Sequence, residues 1–159
     1  MVYSSAFFVY KSEGLNTSRG HLLQMIFTIG YEGLGINRFL EILKDNGIRT
    51  LLDCRYNASS MNPDFSKKRL VSFLRAEGIG YEHLKEYGIP REIRNTESAI
   101  DWYVKYIRPT IHASVLDRFE QPVCFMCMER DSENCHRRII LDVLRAQGLD
   151  GRELYPKKE

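Results

Sequence analysis

Three of the chain's four cysteines, Cys124, Cys127 and Cys135, fall between Pro122 and Ile140, together with Glu129, His136 and Arg137. Thiols, a carboxylate, an imidazole and a guanidinium this close in sequence are the parts of a nucleophilic or redox centre. The apolar run VCFMC (123–127) reads as a buried strand, and a polar loop leads from it to a helix opening on Cys135, His136 and Arg137. A helix N-terminus carries unpaired N–H groups and the positive end of the dipole, so it favours an anion. A thiolate at Cys135 gains from both, and His136 and Arg137 add positive charge beside it. The ordinary alternative is a small buried cysteine that fills space beneath the strand. His136 is a candidate general base, or else a hydrogen-bonded residue of the first turn. Arg137 is a candidate anion ligand provided its side chain faces the crevice.

Side chains alternate along a strand, so Cys127 and Glu129 share a face while Cys124 points the other way. A zinc knuckle needs a tight turn between its cysteines, and Phe125-Met126 supplies neither a glycine nor a polar residue to make one. The expectation is therefore no metal and no cofactor. A zinc or iron site on Cys124, Cys127, Cys135 and His136 is the alternative.

Something must bring partners to this stretch, and the rest of the chain supplies them. From Ile26 the hydrophobic period alternates between short apolar runs and helical stripes, the pattern of a layered α/β domain. Strands are expected at 26–29, 48–53, 79–84, 123–127 and, as a last edge strand, 152–155. Helices are expected on Ile36, Phe39, Leu40 and Leu43; on Leu70, Phe73 and Leu74 after a Ser66 cap; on Ile100, Tyr103, Val104 and Ile107 after Thr96; on Ile111, Val115 and Phe119; and from about Asn134 to Gln147. YGIPREIRN is expected to be a long loop because Pro90 opposes regular structure. The fold class implied is a single three-layer Rossmann-like α/β domain with a mostly parallel sheet, in which ligands gather at the carboxyl ends of the strands where strand order reverses.

That rule selects the loops after strands 26–29, 48–53 and 123–127. Asp53 and Arg55 close the second strand on one side of it. They are either a loop-holding ion pair or a site pair, with Arg55 suited to bond two oxygens of a carboxylate or phosphate and Asp53 to move a proton. Ser60 adds a polar donor. The first loop, Gly30-Tyr31-Glu32-Gly33-Leu34-Gly35, lacks the dinucleotide fingerprint and the P-loop lysine, but from Gly30 on its backbone N–H groups could approach a phosphate, and it sets Tyr31 and Glu32 at the rim of the same crevice.

At 159 residues, 43 % of them hydrophobic, the chain is sized for one domain. A formal charge of +2 does not demand nucleic acid, although Lys67-Lys68-Arg69, Arg91 with Arg94, and Arg137-Arg138 form local basic clusters. No apolar run approaches the ~18–20 residues of a membrane span, and FFVY near the start is not a signal peptide. A cytoplasmic location with reduced thiols is expected. Residues 1–24 do not share the alternating pattern of the remainder and read as an N-terminal extension, with the domain over 25–159.

In order and spacing, TIGYEG (28–33), GIRTLLDCR (47–55), FSKKRL (65–70), GIGYEHLKEYGIP (78–90) and CMERDSENCHR (127–137) resemble the motifs of the bacterial and archaeal family called domain of unknown function 488. The resemblance runs from about Phe27 to Leu154. It covers Thr28 to Tyr31, Asp53 and Arg55, Phe65 and Ser66, Cys127 and Glu129, and Cys135 to Arg137. The chain departs from it at Cys54, where the family usually has valine, and at Ala58, where it usually has proline; Cys124 lies outside the motif. The resemblance implies a Rossmann-like fold with a shared pocket and supplies no reaction.

The functional expectation is an enzyme, a cysteine-dependent transferase or hydrolase, acting on an anionic, phosphate-bearing substrate of nucleotide or nucleic-acid type. Cys127 or Cys135 is the nucleophile or redox thiol, Glu129, Asp53 or His136 moves protons, and Arg55 and Arg137 hold the anion, with Tyr31, Gly30 and Ser60 beside them. The alternatives are a regulatory module that binds a nucleotide, nucleic acid or anion through the basic clusters and Tyr56, Tyr81 and Tyr87, and a metal-binding protein.

Overall fold

A computed structural model describes residues 24–154; the proposed extension lies almost wholly outside them, as does Tyr155 of the expected last strand. Five strands form one sheet: β1 (Met25–Gly30), β2 (Thr50–Asp53), β3 (Gly80–His83), β4 (Val123–Cys127) and β5 (Asp150–Leu154). Their order is β3-β2-β4-β1-β5 and every pairing is parallel. β4, apolar on both faces and buried at every residue, takes the centre, as a strand covered on both sides must.

Helices cover both faces. α1 (Ile36–Asp45) and α2 (Lys67–Ala76) pack Phe39, Leu43, Leu70 and Leu74 against Ile29, Leu51, Cys124 and Met126. On the opposite face α4 (Ala99–Tyr106) and α5 (His136–Ala146) pack Tyr103, Ile140 and Leu144 against Ile26, Leu52, Phe125 and Cys127. α1 has 10 residues and α5 has 11, lengths at which an isolated helix is marginal in water. Burying one Leu or Phe contributes ~1.5–3 kcal/mol, so the apolar stripes, not helix propensity, hold these segments.

The departures from expectation cluster between β3 and β4. YGIPREIRN is not a plain loop: a 3₁₀ turn, Lys85–Tyr87, ends on its first residue, and it holds a short helix, α3 (Arg91–Arg94). Pro90 sits just before α3, where its missing N–H costs nothing because a helix's first donors have no internal partner. α4 starts after Ser98 rather than on Thr96, whose hydroxyl donates to Ile93 O at 2.7 Å. Its stripe is narrower than expected. Tyr103 is fully buried, but Ile100 and Val104 stay 43 % and 38 % exposed. The helix expected on Ile111, Val115 and Phe119 is two 3₁₀ turns, Arg108–Thr110 and Ala113–Arg118, beginning where Pro109 interrupts the α-helical ladder. Ser66 precedes α2 without making a side-chain cap bond.

Because β4 inserts between β2 and β1, the carboxyl ends of these three strands meet. α1 leaves β1 toward one edge of the sheet and α5 leaves β4 toward the other, which opens a crevice between the loops they start from. Among the described residues no helix is long and apolar enough to cross a membrane.

Candidate functional site

At this crevice lies a cavity of about 300 Å³, walled by Tyr31 from the β1 loop, Arg55 from the β2 loop, and Cys127, Glu129, Cys135 and His136 from the β4 loop and the start of α5. Cys127 is the last residue of β4 and Cys135 the residue on which α5 is capped. Their ligand-type atoms and that of His136 lie within 4.8 Å of one another. The Oε2 atom of Glu129 accepts from the Cys127 thiol at 2.9 Å and from that of Cys135 at 3.4 Å.

His136 is oriented by a residue that sequence reasoning set aside. Its Nε2 stands 3.0 Å from the main-chain oxygen of Cys54. A carbonyl can only accept, so Nε2 carries the proton, and Nδ1 is left facing Cys135 Sγ at 3.9 Å. The Tyr103 ring packs on the imidazole with centroids 5.0 Å apart.

These contacts separate the two thiols. The Cys135 thiol is pulled down to about 6, first by the hydrogen bond from Cys127 and then by the bond to and charge of His136, against the opposing effect of burial. The Cys127 thiol is pushed well above the ordinary range by its bond to Cys135 and by burial. Burial on its own disfavours an imidazolium at His136, yet the bonds and charges of Cys135 and Cys54 overcome it and raise the imidazole well above its usual value. Glu129 behaves likewise: burial would raise its carboxyl, but hydrogen bonds led by that from Cys127 hold it below the usual range. Both shifts favour a Cys135 thiolate beside a His136 imidazolium.

Of the residues expected in the site, Tyr31, Arg55, Cys127, Glu129, Cys135 and His136 come together on the wall. Asp53 does not reach it. It is fully buried behind Arg55, accepting from the Arg55 main-chain N at 3.1 Å, from Nε at 2.9 Å, from Nη2 at 2.6 Å and from the Tyr81 hydroxyl at 2.7 Å. A carboxylate with so many donors has no free lone pair aimed at a substrate, so its contacts commit Asp53 to holding Arg55. Arg55 Nη1 donates in turn to Phe65 O at 2.9 Å and to the Tyr31 hydroxyl at 3.2 Å, pinning the loops after β1 and β2 together.

Arg137 also departs from expectation. It is fully buried and points away from the cavity, donating to the carbonyls of Glu129 and Arg130 and pairing with Glu153 of β5 at 2.8 Å. Its role is to fasten the 128–135 loop to the sheet edge. Ser60 sits behind Tyr31, accepting its hydroxyl proton at 3.2 Å. Gly30 serves a close approach instead of a ligand: a Cβ there would overlap the Glu129 carbonyl and stand 2.9 Å from Arg130 Cα. Gly88 does the same for the β2 loop, where a Cβ would overlap the main chain of Tyr56.

Of the three tyrosines expected in a binding surface, Tyr56 lines the cavity, Tyr81 is tied to Asp53 through its hydroxyl, and Tyr87 is buried. Cys124 packs on the α1–α2 face of the sheet, opposite Cys127, and does not join the other three residues of the four-ligand set. Among the described residues, Cys127, Cys135 and His136 have ligand atoms spaced to suit an ion.

Two contributors escaped the sequence reading. Arg94, at the end of α3, lines the cavity and has no ion-pair partner among the described residues; it was legible only as one of a solvated basic pair. Cys54 contributes its main-chain oxygen to His136. The available signal was strand parity, which turns Cys54 to the α5 face, away from Asp53 and Arg55.

A family model described as domain of unknown function DUF488 matches residues 35–144. The matched span holds Arg55, Arg94, Cys127, Glu129, Cys135 and His136, and leaves the Tyr31 loop and β5 outside it. Searches of curated proteins and of solved structures found no match. With more than half its length under that model, and with the motif cysteines, Glu129 and His136 gathered in one cavity, the chain belongs to the DUF488 family.

Proposed function

We propose that this protein is an enzyme whose nucleophile is the Cys135 thiolate, with His136 as its charge partner and proton carrier, acting on a small anionic substrate. One observation carries the reading: Cys135 Sγ lies on the cavity wall beside an imidazole whose tautomer is set by Cys54 O. The position at the head of α5 adds the positive end of the helix dipole near the same residue. A thiolate stabilised this way is the species that attacks an electrophile, and the adjacent imidazolium can protonate the leaving group.

The anionic character of the substrate rests on Arg94 and Arg55. Asp53 neutralises Arg55 and occupies most of its donors, so Arg94 is the freer charge. About 300 Å³ of space suits a small molecule, and Ile100 and Met128 add an exposed apolar rim.

The test uses two alkylating reagents that differ in charge. Iodoacetate should modify Cys135 selectively, and at least as fast as neutral iodoacetamide, with Arg94→Ala removing that advantage. A normal thiol preference for iodoacetamide, unchanged by Arg94→Ala, would refute the anion assignment. Alkylation of the other cysteines ahead of Cys135 would refute the nucleophile.

A further inference from the structure

A single-thiol mechanism leaves two features of the cavity without a task. The first is Cys127, a second thiol on the same wall, with its sulfur within 4.8 Å of Cys135 Sγ. The second is Glu129, whose Oε2 accepts from the Cys127 thiol and stands 3.4 Å from Cys135 Sγ. A carboxylate 3.4 Å from a nucleophilic sulfur opposes the thiolate by like-charge repulsion, so its presence calls for a purpose that outweighs this. Removing the proton of Cys127, to which it is closer at 2.9 Å, is such a purpose. Cys124 is on the opposite face of the sheet; Cys54 lies on the same face beside His136, but it is fully buried with its thiol donating to Met126 O at 3.1 Å.

We propose that Cys127 is the resolving thiol for Cys135 and that the electrophile taken by this site is the sulfur–sulfur bond of a small disulfide. This deepens the nucleophilic reading of Cys135 and rests on it. The Cys135 thiolate attacks one sulfur of the substrate R–S–S–R. The substrate S–S bond breaks, a Cys135–S–R bond forms, and the departing thiolate takes the proton of His136 to leave as RSH. Glu129 then accepts the Cys127 proton, and Cys127 Sγ attacks Cys135 Sγ. The Cys135–S–R bond breaks and the second thiolate takes the proton from Glu129. One disulfide is reduced to two thiols, and the two electrons come from the Cys127–Cys135 pair, which is left as a disulfide. A dithiol reductant restores the pair by the reverse exchange. Closing the bond of ~2.05 Å asks for a small side-chain movement from the present separation.

The test treats the reduced full-length chain with oxidised glutathione, a disulfide that carries carboxylates, and reads the products by intact-mass and peptide mass spectrometry. Wild type should release two glutathione thiols per chain and hold a Cys127–Cys135 bond. Cys127→Ser and Cys127→Ala should stop after one thiol, with glutathione retained on Cys135, while Cys124→Ser behaves as wild type. A wild type that keeps a stable Cys135 adduct, or that bonds Cys135 to Cys54, overturns the resolving role. If Cys135 still shows preferential alkylation by iodoacetate, only the resolving assignment has failed; if that preference is absent too, the nucleophilic reading falls with it. Matched circular dichroism of the Cys127 variants separates either result from misfolding.

Discussion

Replacing His136 with glutamine isolates the dyad. Glutamine places an amide nitrogen close to where Nε2 stands, so the bond to Cys54 O, 3.0 Å in the structure, is retained and the start of α5 stays anchored. What disappears is Nδ1 facing Cys135 Sγ at 3.9 Å and the positive charge on the ring. In the wild type the Cys135 thiol titrates at about 6, against ~8.5 for an unperturbed thiol. The hydrogen bond from Cys127 is the larger contribution and survives, so the midpoint in His136→Gln should rise by at least about one pH unit without reaching the free value, which corresponds to ~1.4 kcal/mol lost from the thiolate. Below both midpoints the thiolate population should fall about tenfold for each such unit. The assay is the pH dependence of iodoacetamide alkylation, followed at each cysteine by peptide mass spectrometry. A midpoint that does not move in His136→Gln, or a wild-type Cys135 that titrates near ~8.5, would sink the dyad and the nucleophile with it.

Three further outcomes are expected. Asp53→Asn leaves the buried Arg55 without its counter-charge; it should cost ~3–5 kcal/mol, visible as a lower denaturant midpoint, and a loss under ~1 kcal/mol would show that the pair behaves as if exposed. Gly30→Ala forces the loop at Glu129 and Arg130 away from β1; overpacking should cost ~1–3 kcal/mol, and because Glu129 is displaced, resolution of a Cys135 adduct by Cys127 should slow as well, whereas wild-type melting would refute the close approach. The dyad's contribution to stability should be flat in pH between ~6.5 and ~8.5. The depressed Cys135 contributes stability that is present above its unfolded value and lost as pH falls through about 6. The raised His136 contributes stability that is present below ~6.5 and lost as pH rises through its elevated folded value. Within the window both states of the chain bind one proton, on sulfur when unfolded and on the imidazole when folded, so the two slopes cancel. Above ~8.5 the unfolded chain sheds its proton while the folded one keeps it, and stability should fall. Denaturant midpoints of wild type against the His136→Gln, Cys135→Ser double variant measure this, and a steady slope inside the window would contradict the ion pair.

Local patterns along the chain were enough for the architecture. Alternation of apolar runs and helical stripes specified the parallel sheet and the central place of VCFMC, because a strand covered on both faces must be apolar at every position. Side-chain parity separated Cys124 from Cys127, and the polar loop before HRRII placed Cys135 at a helix start. Which polar side chains face the cavity and which brace it became visible only in three dimensions. Asp53 and Arg137 are as chemically capable as Glu129, but both are consumed: Asp53 by Arg55 two residues on and by Tyr81 across the sheet, Arg137 by the Glu129 and Arg130 carbonyls and by Glu153 on β5. A buried charge must satisfy its hydrogen bonds from whatever packs against it, and the contributions of Tyr81 and Glu153 are chosen by the fold, not by the residue's own segment. The same holds for Arg94 and for the Cys54 carbonyl, which gained their places only when α3 and β2 were brought to the edge where α5 begins.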